Sequence, residues 1–174
     1  MIFLKKALLV IDMLNDFINE EGSLYVGKAP DLVKNIAKRI EEHRKDGNPI
    51  IYIMDKHLDD DKEFEMFPSH CVAGQWGSEI IAELAPKKGD YLISKRRYSA
   101  FFGTDLDLTL RELDIKEIEM TGVCTQICLL YTGADARMRN YQVLVHKDSA
   151  ASFNPEAHEF ALKEMETTLG IKVI

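Results

Sequence analysis

Cys128 ends the run Met120-Thr121-Gly122-Val123-Cys124-Thr125-Gln126-Ile127-Cys128, and its position says more about chemistry than that of any other residue. Glu117 to Met120 reads as a short strand, whereas Ile127, Leu130, Tyr131, Ala134 and Met138 recur at helical spacing. Cys128 therefore falls where a strand hands over to a helix. That edge is where open α/β sheets bind ligands, and helix N-terminal amides there favour an anion such as a thiolate. The position makes Cys128 a candidate nucleophile, set against an alternative as a small apolar residue on the inner face of the helix.

Asp12 and Lys95 occupy comparable places. Asp12 follows the apolar run Ala7 to Ile11, and Lys95 follows Tyr91 to Ser94, so three unlike ionisable groups share one rim. A free thiol is only about 3% thiolate at neutral pH, and a neighbouring ammonium can raise that fraction. Asp12 could take the thiol proton and later pass it to a leaving amine, as a general base and acid. The alternatives are a solvated strand end for Asp12 and a surface cation in Lys95-Arg96-Arg97 for Lys95.

A second group is Asp55-Lys56-His57, followed by Glu63 and Pro68-Ser69-His70-Cys71. In an extended segment the side chains of Asp55 and His57 point to one side, and His70 can return through the loop. Mixed imidazole and carboxylate donors suit a divalent ion, Zn²⁺ first, with Mn²⁺ and Fe²⁺ open. The alternative is a polar loop with incidental histidines. Cys71 would point away if the loop is extended and stays outside the set.

These residues need a scaffold to hold them. Strands are expected at Ala7–Ile11, Pro49–Met54, Tyr91–Ser94, Glu117–Met120, Tyr141–Val145 and Ile171–Ile174. Helices are expected behind Pro30, behind a Thr104/Asp107 capping box, after Cys128 and behind Asn154-Pro155, where Ala157, Phe160, Ala161 and Leu169 form the inward face. Alternating strands and helices predict an α/β fold, a three-layer doubly wound and mostly parallel sheet of about six strands with helices on both faces. One domain spanning residues 1–174 is expected. The net charge of -7 argues against nucleic-acid or anionic-membrane surfaces. Three cysteines without a disulfide-like spacing, and no apolar run long enough for a leader or a membrane span, read as a soluble cytoplasmic protein.

Together the motifs resemble the isochorismatase-like cysteine hydrolases, and within them the nicotinamidases, over nearly the whole chain. The carriers are Val10-Ile11-Asp12, Asn15-Asp16-Phe17, Asp55-Lys56-His57, Phe67-Pro68-Ser69-His70, Lys95 through Phe101, and Gly122 through Cys128. The resemblance implies a Cys128 nucleophile, an Asp12 base and a thiolate-stabilising Lys95. It implies a cis Val123–Cys124 peptide and an oxyanion hole from the backbone N–H groups of Cys124 and Cys128. It implies metal ligation by Asp55, His57 and His70, with Glu63 as a fourth ligand seen in part of the family, and a flat ring enclosed by Phe17, Phe67 and Tyr98. The implied activity is deamidation of a small carboxamide, nicotinamide to nicotinate and ammonia in NAD salvage, by a homo-oligomer with one divalent ion. Leu14, Gln126 and Gly133 depart from the family pattern without removing a proposed catalytic group. The rival readings are a relative acting on isochorismate, ureidoacrylate or an N-carbamoyl compound, a Cys124/Cys128 redox sensor, and a non-catalytic binding protein on the same fold.

Overall fold

In the computed structural model, which describes residues 5–174, six parallel strands lie in the order β3-β2-β1-β4-β5-β6. They are β1 (Lys6–Ile11), β2 (Ile50–Asp55), β3 (Tyr91–Lys95), β4 (Glu117–Val123), β5 (Gln142–Ala151) and β6 (Lys172–Val173). The first four residues of the expected domain lie outside the described ones.

Alternation along the central strands builds two cores. Ala7, Leu9 and Ile11 of β1, with Ile51 and Ile53 of β2, face α3 (Leu106–Glu112), α4 (Leu130–Met138) and α5 (Pro155–Thr167). Leu8 and Val10, with Ile50, Tyr52 and Met54, face α2 (Leu32–Lys45) and the segments around Phe17 and Ile81. Strands covered on both faces must be apolar throughout, which is why β1 and β2 read as unbroken hydrophobic runs. The three-layer arrangement is the expected one.

Local signals explain most boundaries. Leu32, Ile36, Ile40 and His43 form the buried stripe of α2, which stops where Gly47 takes φ +72° and its N–H donates to Arg44 O. Pro155 opens α5, and the Asn154 side chain caps it by accepting from Ala157 N–H at 3.0 Å. Among the described residues no helix is long and apolar enough to cross a membrane.

Three expectations need correction, and α4 packs by a face that its apolar spacing does not mark. Thr104 and Asp107 form no capping box: the Thr104 hydroxyl accepts from Leu106 N–H and donates to Ala100 O, while Asp107 pairs with Arg111 and Tyr141. On α4, Tyr131 and Met138 point outward, 51% and 72% exposed. The helix packs instead through small residues, since a Cβ on Gly133 would come within 2.8 Å of Ile171 and 3.0 Å of Met120. On α5, Phe160 is 62% exposed and the inner face is Ala161, Leu162 and Met165. Finally, β5 runs past Val145. Val145 pairs with Met120 and Ala150 with Gly122, so a bulge lets the strand resume beside the end of β4.

The strand order fixes where a ligand site can form. From β1 the chain adds β2 and β3 on one side, then crosses back to place β4 on the other. The crevice at such a reversal lies between the carboxyl ends of β1 and β4. Asp12 and the Cys124–Cys128 turn flank it.

Candidate active site

Asp12 leaves β1 with φ +53°, a left-handed conformation unusual for a residue other than glycine. Its N–H still donates to Ile53 O at 2.9 Å, so the strand ladder holds up to the turn and the side chain swings inward. There its Oδ1 accepts from Asp55 N–H at 2.9 Å, with the residue completely buried. Lys95, in register with Asp55 across β2 and β3, is 2% exposed. Its Nζ donates to Asp55 Oδ1 and to Cys128 Sγ (3.4 Å), and lies 2.9 Å from Asp12 Oδ2.

An ammonium is buried at acceptable cost only beside opposite charge, and two carboxylates supply it here. Burial works against the charged lysine, but Asp12 and Asp55 outweigh it and hold the ammonium protonated well above the usual lysine range. Burial and then the Asp55 charge push the Asp12 carboxyl up to about 6, against the pull of Lys95. The Cys128 thiol is pushed up by burial, with Lys95 opposing and Asp12 adding to the rise. Burial thus favours the neutral thiol, and a carboxylate stands in place to take its proton. The acceptor for its proton is near, since donor atoms of Asp12, Asp55 and Cys128 all lie within 4.8 Å of one another.

Cys128 sits in a π-helical turn, Thr125–Leu129, between β4 and α4. The N–H groups of Ile127 and Leu129 both donate to Cys124 O, at 3.1 and 3.2 Å, folding the turn over Cys124. The Thr125 hydroxyl donates to Ala151 O at 3.0 Å and accepts from His158 Nδ1 at 2.8 Å. The resumed end of β5 and helix α5 thus brace the turn that carries the sulfur. The peptide Val123–Cys124 is cis. Cys128 packs in the core and also lines a cavity, so burial and access to ligand are not exclusive here.

The second group also converges. His57 Nε2 stands 3.6 Å from Asp55 Oδ2 and 4.0 Å from Glu63 Oε1; His70 Nε2 stands 3.9 and 4.0 Å from the same atoms. All four residues are buried. His70 Nδ1 lies 2.8 Å from Pro68 O and His57 Nδ1 3.1 Å from Asp61 Oδ2; both partners only accept, so a neutral ring that donates there through Nδ1–H leaves its Nε2 as a lone pair. His57 Nε2 and Glu63 Oε2 are buried without a hydrogen-bond partner. Two imidazole nitrogens and two carboxylates, aimed at one another with orphaned lone pairs, fit a divalent cation. Cys71 is buried with its sulfur toward Gly77 O, away from this set.

Cys128 of the first group and Asp55, Glu63 and His70 of the second face one slot. Phe17, Phe67 and Tyr98 line it, as do Asp55, Glu63, His70, Cys124 and Cys128. Sequence reasoning missed Leu24, Ile127 and Phe153 in the wall. Phe153 follows the resumed part of β5, which polar residues hide. It also missed Asp61, a fully buried carboxylate amid three consecutive aspartates, with nothing local to mark which of them turns inward.

A doubly wound parallel sheet that gathers a buried thiol, carboxylate and ammonium at its switch point defines an α/β protein with a strand-end ligand crevice. More narrowly, a model of the isochorismatase domain matches residues 6–174, and the chain belongs to the isochorismatase family. Nicotinamidase PncA from Bacillus subtilis is 37% identical, with a TM-score of 0.90 over 98% of this chain and 99% of that one. N-carbamoylsarcosine amidase from Thermoplasma acidophilum is 37% identical, with a TM-score of 0.88 over 98% and 95%. The pyrazinamidase of Pyrococcus horikoshii, solved in complex with zinc, is 30% identical, with a TM-score of 0.92 over 98% of each chain.

Proposed function

We propose that the chain is a metal-assisted cysteine amidohydrolase that converts nicotinamide to nicotinate and ammonia, a step of NAD salvage. One observation carries this reading. The Cys128 thiol and three of the four donors, Asp55, Glu63 and His70, line the same aromatic-walled slot, and among the described residues no cationic side chain lines it. Isochorismate, ureidoacrylate and N-carbamoyl amino acids all bear carboxylates, which would be desolvated there without a counter-charge from any lining side chain. A neutral, flat carboxamide meets no such penalty.

In this mechanism Phe17, Phe67 and Tyr98 enclose the ring and exclude water. Asp55, His57, Glu63 and His70 would hold a divalent ion, Zn²⁺ or alternatively Mn²⁺ or Fe²⁺, which when bound supplies a Lewis acid for the ring nitrogen and so orients the ring. Asp12 takes the Cys128 proton as sulfur attacks the carboxamide carbon, and Lys95 stabilises the thiolate as it forms. The N–H groups of Cys124 and Cys128 hold the oxyanion. Asp12 returns its proton to the departing ammonia, leaving a thioester, then activates the water that cleaves it.

The test is ammonia release from nicotinamide, pyrazinamide, ureidoacrylate and an N-carbamoyl amino acid, with and without chelator. The expected result is turnover of the two ring carboxamides, lost on chelation and restored by added metal. Full nicotinamide turnover in chelator, or turnover of the anionic substrates alone, would sink the proposal. Cys128→Ala should lose ammonia release and keep metal content.

A further inference from the structure

Asp61 takes no part in the chemistry described so far, yet it is the most heavily hydrogen-bonded carboxylate near the site. Its Oδ2 accepts from His57 Nδ1 at 3.1 Å and from Arg96 Nε at 3.0 Å; its Oδ1 accepts from Arg97 Nη1 at 2.9 Å and Glu63 N–H at 3.1 Å. Four donors meet about four lone-pair sites on one carboxylate, so its orientation is fixed. We propose that Asp61 is the positioning residue of the metal loop: it sets the His57 tautomer and locks that ligand to the segment that forms the ring wall. This rests on the proposed role of Asp55, His57, Glu63 and His70 as a metal site.

The geometry supports both parts. A neutral imidazole holds one ring proton, and the Asp61 carboxylate keeps it on Nδ1, leaving Nε2 as a lone pair turned toward Asp55 and Glu63. Without that acceptor the proton could move to Nε2 and block the ligand atom. The Asp61 bond to Glu63 N–H caps the 3-10 turn Lys62–Glu65 that presents Glu63, so one side chain orients two of the four donors. Arg96 and Arg97 come directly after Lys95 and before Tyr98. Their bonds to Asp61 join the segment after β3, with its Tyr98 wall, to the loop that carries His57 and Glu63. Ligand geometry and ring wall are thereby coupled through one buried anion. The two preceding acids, Asp59 and Asp60, are exposed and cannot substitute.

The experiment is a zinc titration of chelator-stripped full-length protein against a chromophoric competitor, with Asp61→Asn beside the parent and His57→Ala as the lost-ligand control. Imidazole ¹⁵N spectra of the metal-free proteins report the tautomer. The expected result is zinc affinity lower by about 10–100-fold in Asp61→Asn, with loss of a uniform Nδ1–H tautomer at His57. A raised KM for the ring carboxamide should accompany it. Stoichiometric zinc in the parent with equal affinity and an unchanged tautomer in Asp61→Asn overturns the role of Asp61 alone. No zinc uptake by the parent overturns the metal reading itself. If Asp61→Asn does not fold, the parent decides: Nδ1–H at His57 supports the assignment, and Nε2–H overturns it.

Discussion

The ammonium of Lys95 stands 3.4 Å from the sulfur of Cys128 and, at the same time, donates to Asp55, whose other carboxylate oxygen faces His57 and His70. One buried cation thus lies between the thiol and the four-donor group. Asp12, 2.9 Å from the same nitrogen, completes an arrangement in which two carboxylates share one counter-charge. Removing one partner of a buried ion pair typically costs roughly 3–5 kcal/mol, because the charge left behind stays desolvated. Lys95→Met is expected to lose about that much stability in urea unfolding and to release no measurable ammonia. Near-parental turnover in that variant would remove Lys95 from the proposed mechanism.

Asp12 should set the acid limb of the pH profile. Its carboxyl is raised to about 6, chiefly by burial, and only the ionised form can accept the thiol proton. Below about pH 6, kcat/KM should fall close to tenfold per pH unit, and Asp12→Asn should abolish turnover at every pH. The stability effect has the opposite sense. Because the folded pKa lies above the unfolded one, the Asp12 contribution is complete below about pH 4 and is lost as pH rises through about 6. Activity therefore grows over the interval in which this group gives up stability. A kcat/KM that stays flat down to about pH 4.5 would exclude Asp12 as the base.

Much of this arrangement was legible in the chain. β1 and β2 showed as unbroken apolar runs because both of their faces are covered, and Asp12, Lys95 and Cys128 each end or follow a strand, so topology alone sends them to one edge. The extension of β5 was not legible, since His146-Lys147-Asp148-Ser149 reads as a loop. A register shift beside Gly122 places these residues in a bulge, with Lys147 N–H still donating to Ile174 O. Phe160 proves exposed because periodicity marks an apolar stripe but not which partner covers it. Asp61 escaped notice for a related reason: only tertiary contacts with His57, Arg96 and Arg97 distinguish it from Asp59 and Asp60.

Gly122 links the two strands that bracket the crevice. It pairs with Ile11 across β1 and β4 at φ +118°, and a Cβ there would fall 1.9 Å from Ile11 O. Neither backbone can yield without moving Asp12, which follows Ile11, or Cys124, two residues past Gly122. Gly122→Ala should therefore destabilise by more than about 3 kcal/mol, the range reserved for strained or overpacked sites, and lower kcat even where the protein remains folded. Thermal unfolding and ammonia release would check both effects. A melting temperature within a degree or two of the parent would mean that the close approach relaxes at little cost.

Glu119 makes a separate test of the scaffold, on the side of the sheet that packs α2. This β4 carboxylate is buried between His146, whose Nε2 lies 2.7 Å from Oε1, and His43, whose Nε2 lies 3.0 Å from Oε2. Burial alone would raise its pKa, but the two imidazoles, His43 foremost, pull it down to about 2. For a carboxyl depressed on folding, the added stability is present above the unfolded pKa, near 4.5, and is lost as pH falls through about 2. A shift of that size is worth on the order of 3 kcal/mol above the unfolded pKa. Glu119→Gln should lose about that amount at pH 7, and its unfolding free energy should vary less than the parent's between about pH 4.5 and 2. Urea unfolding at a series of pH values measures both. Parallel curves for the two proteins would show that the two imidazole contacts joining α2, β4 and β5 contribute no net stability, and that apolar packing alone holds α2 on the sheet.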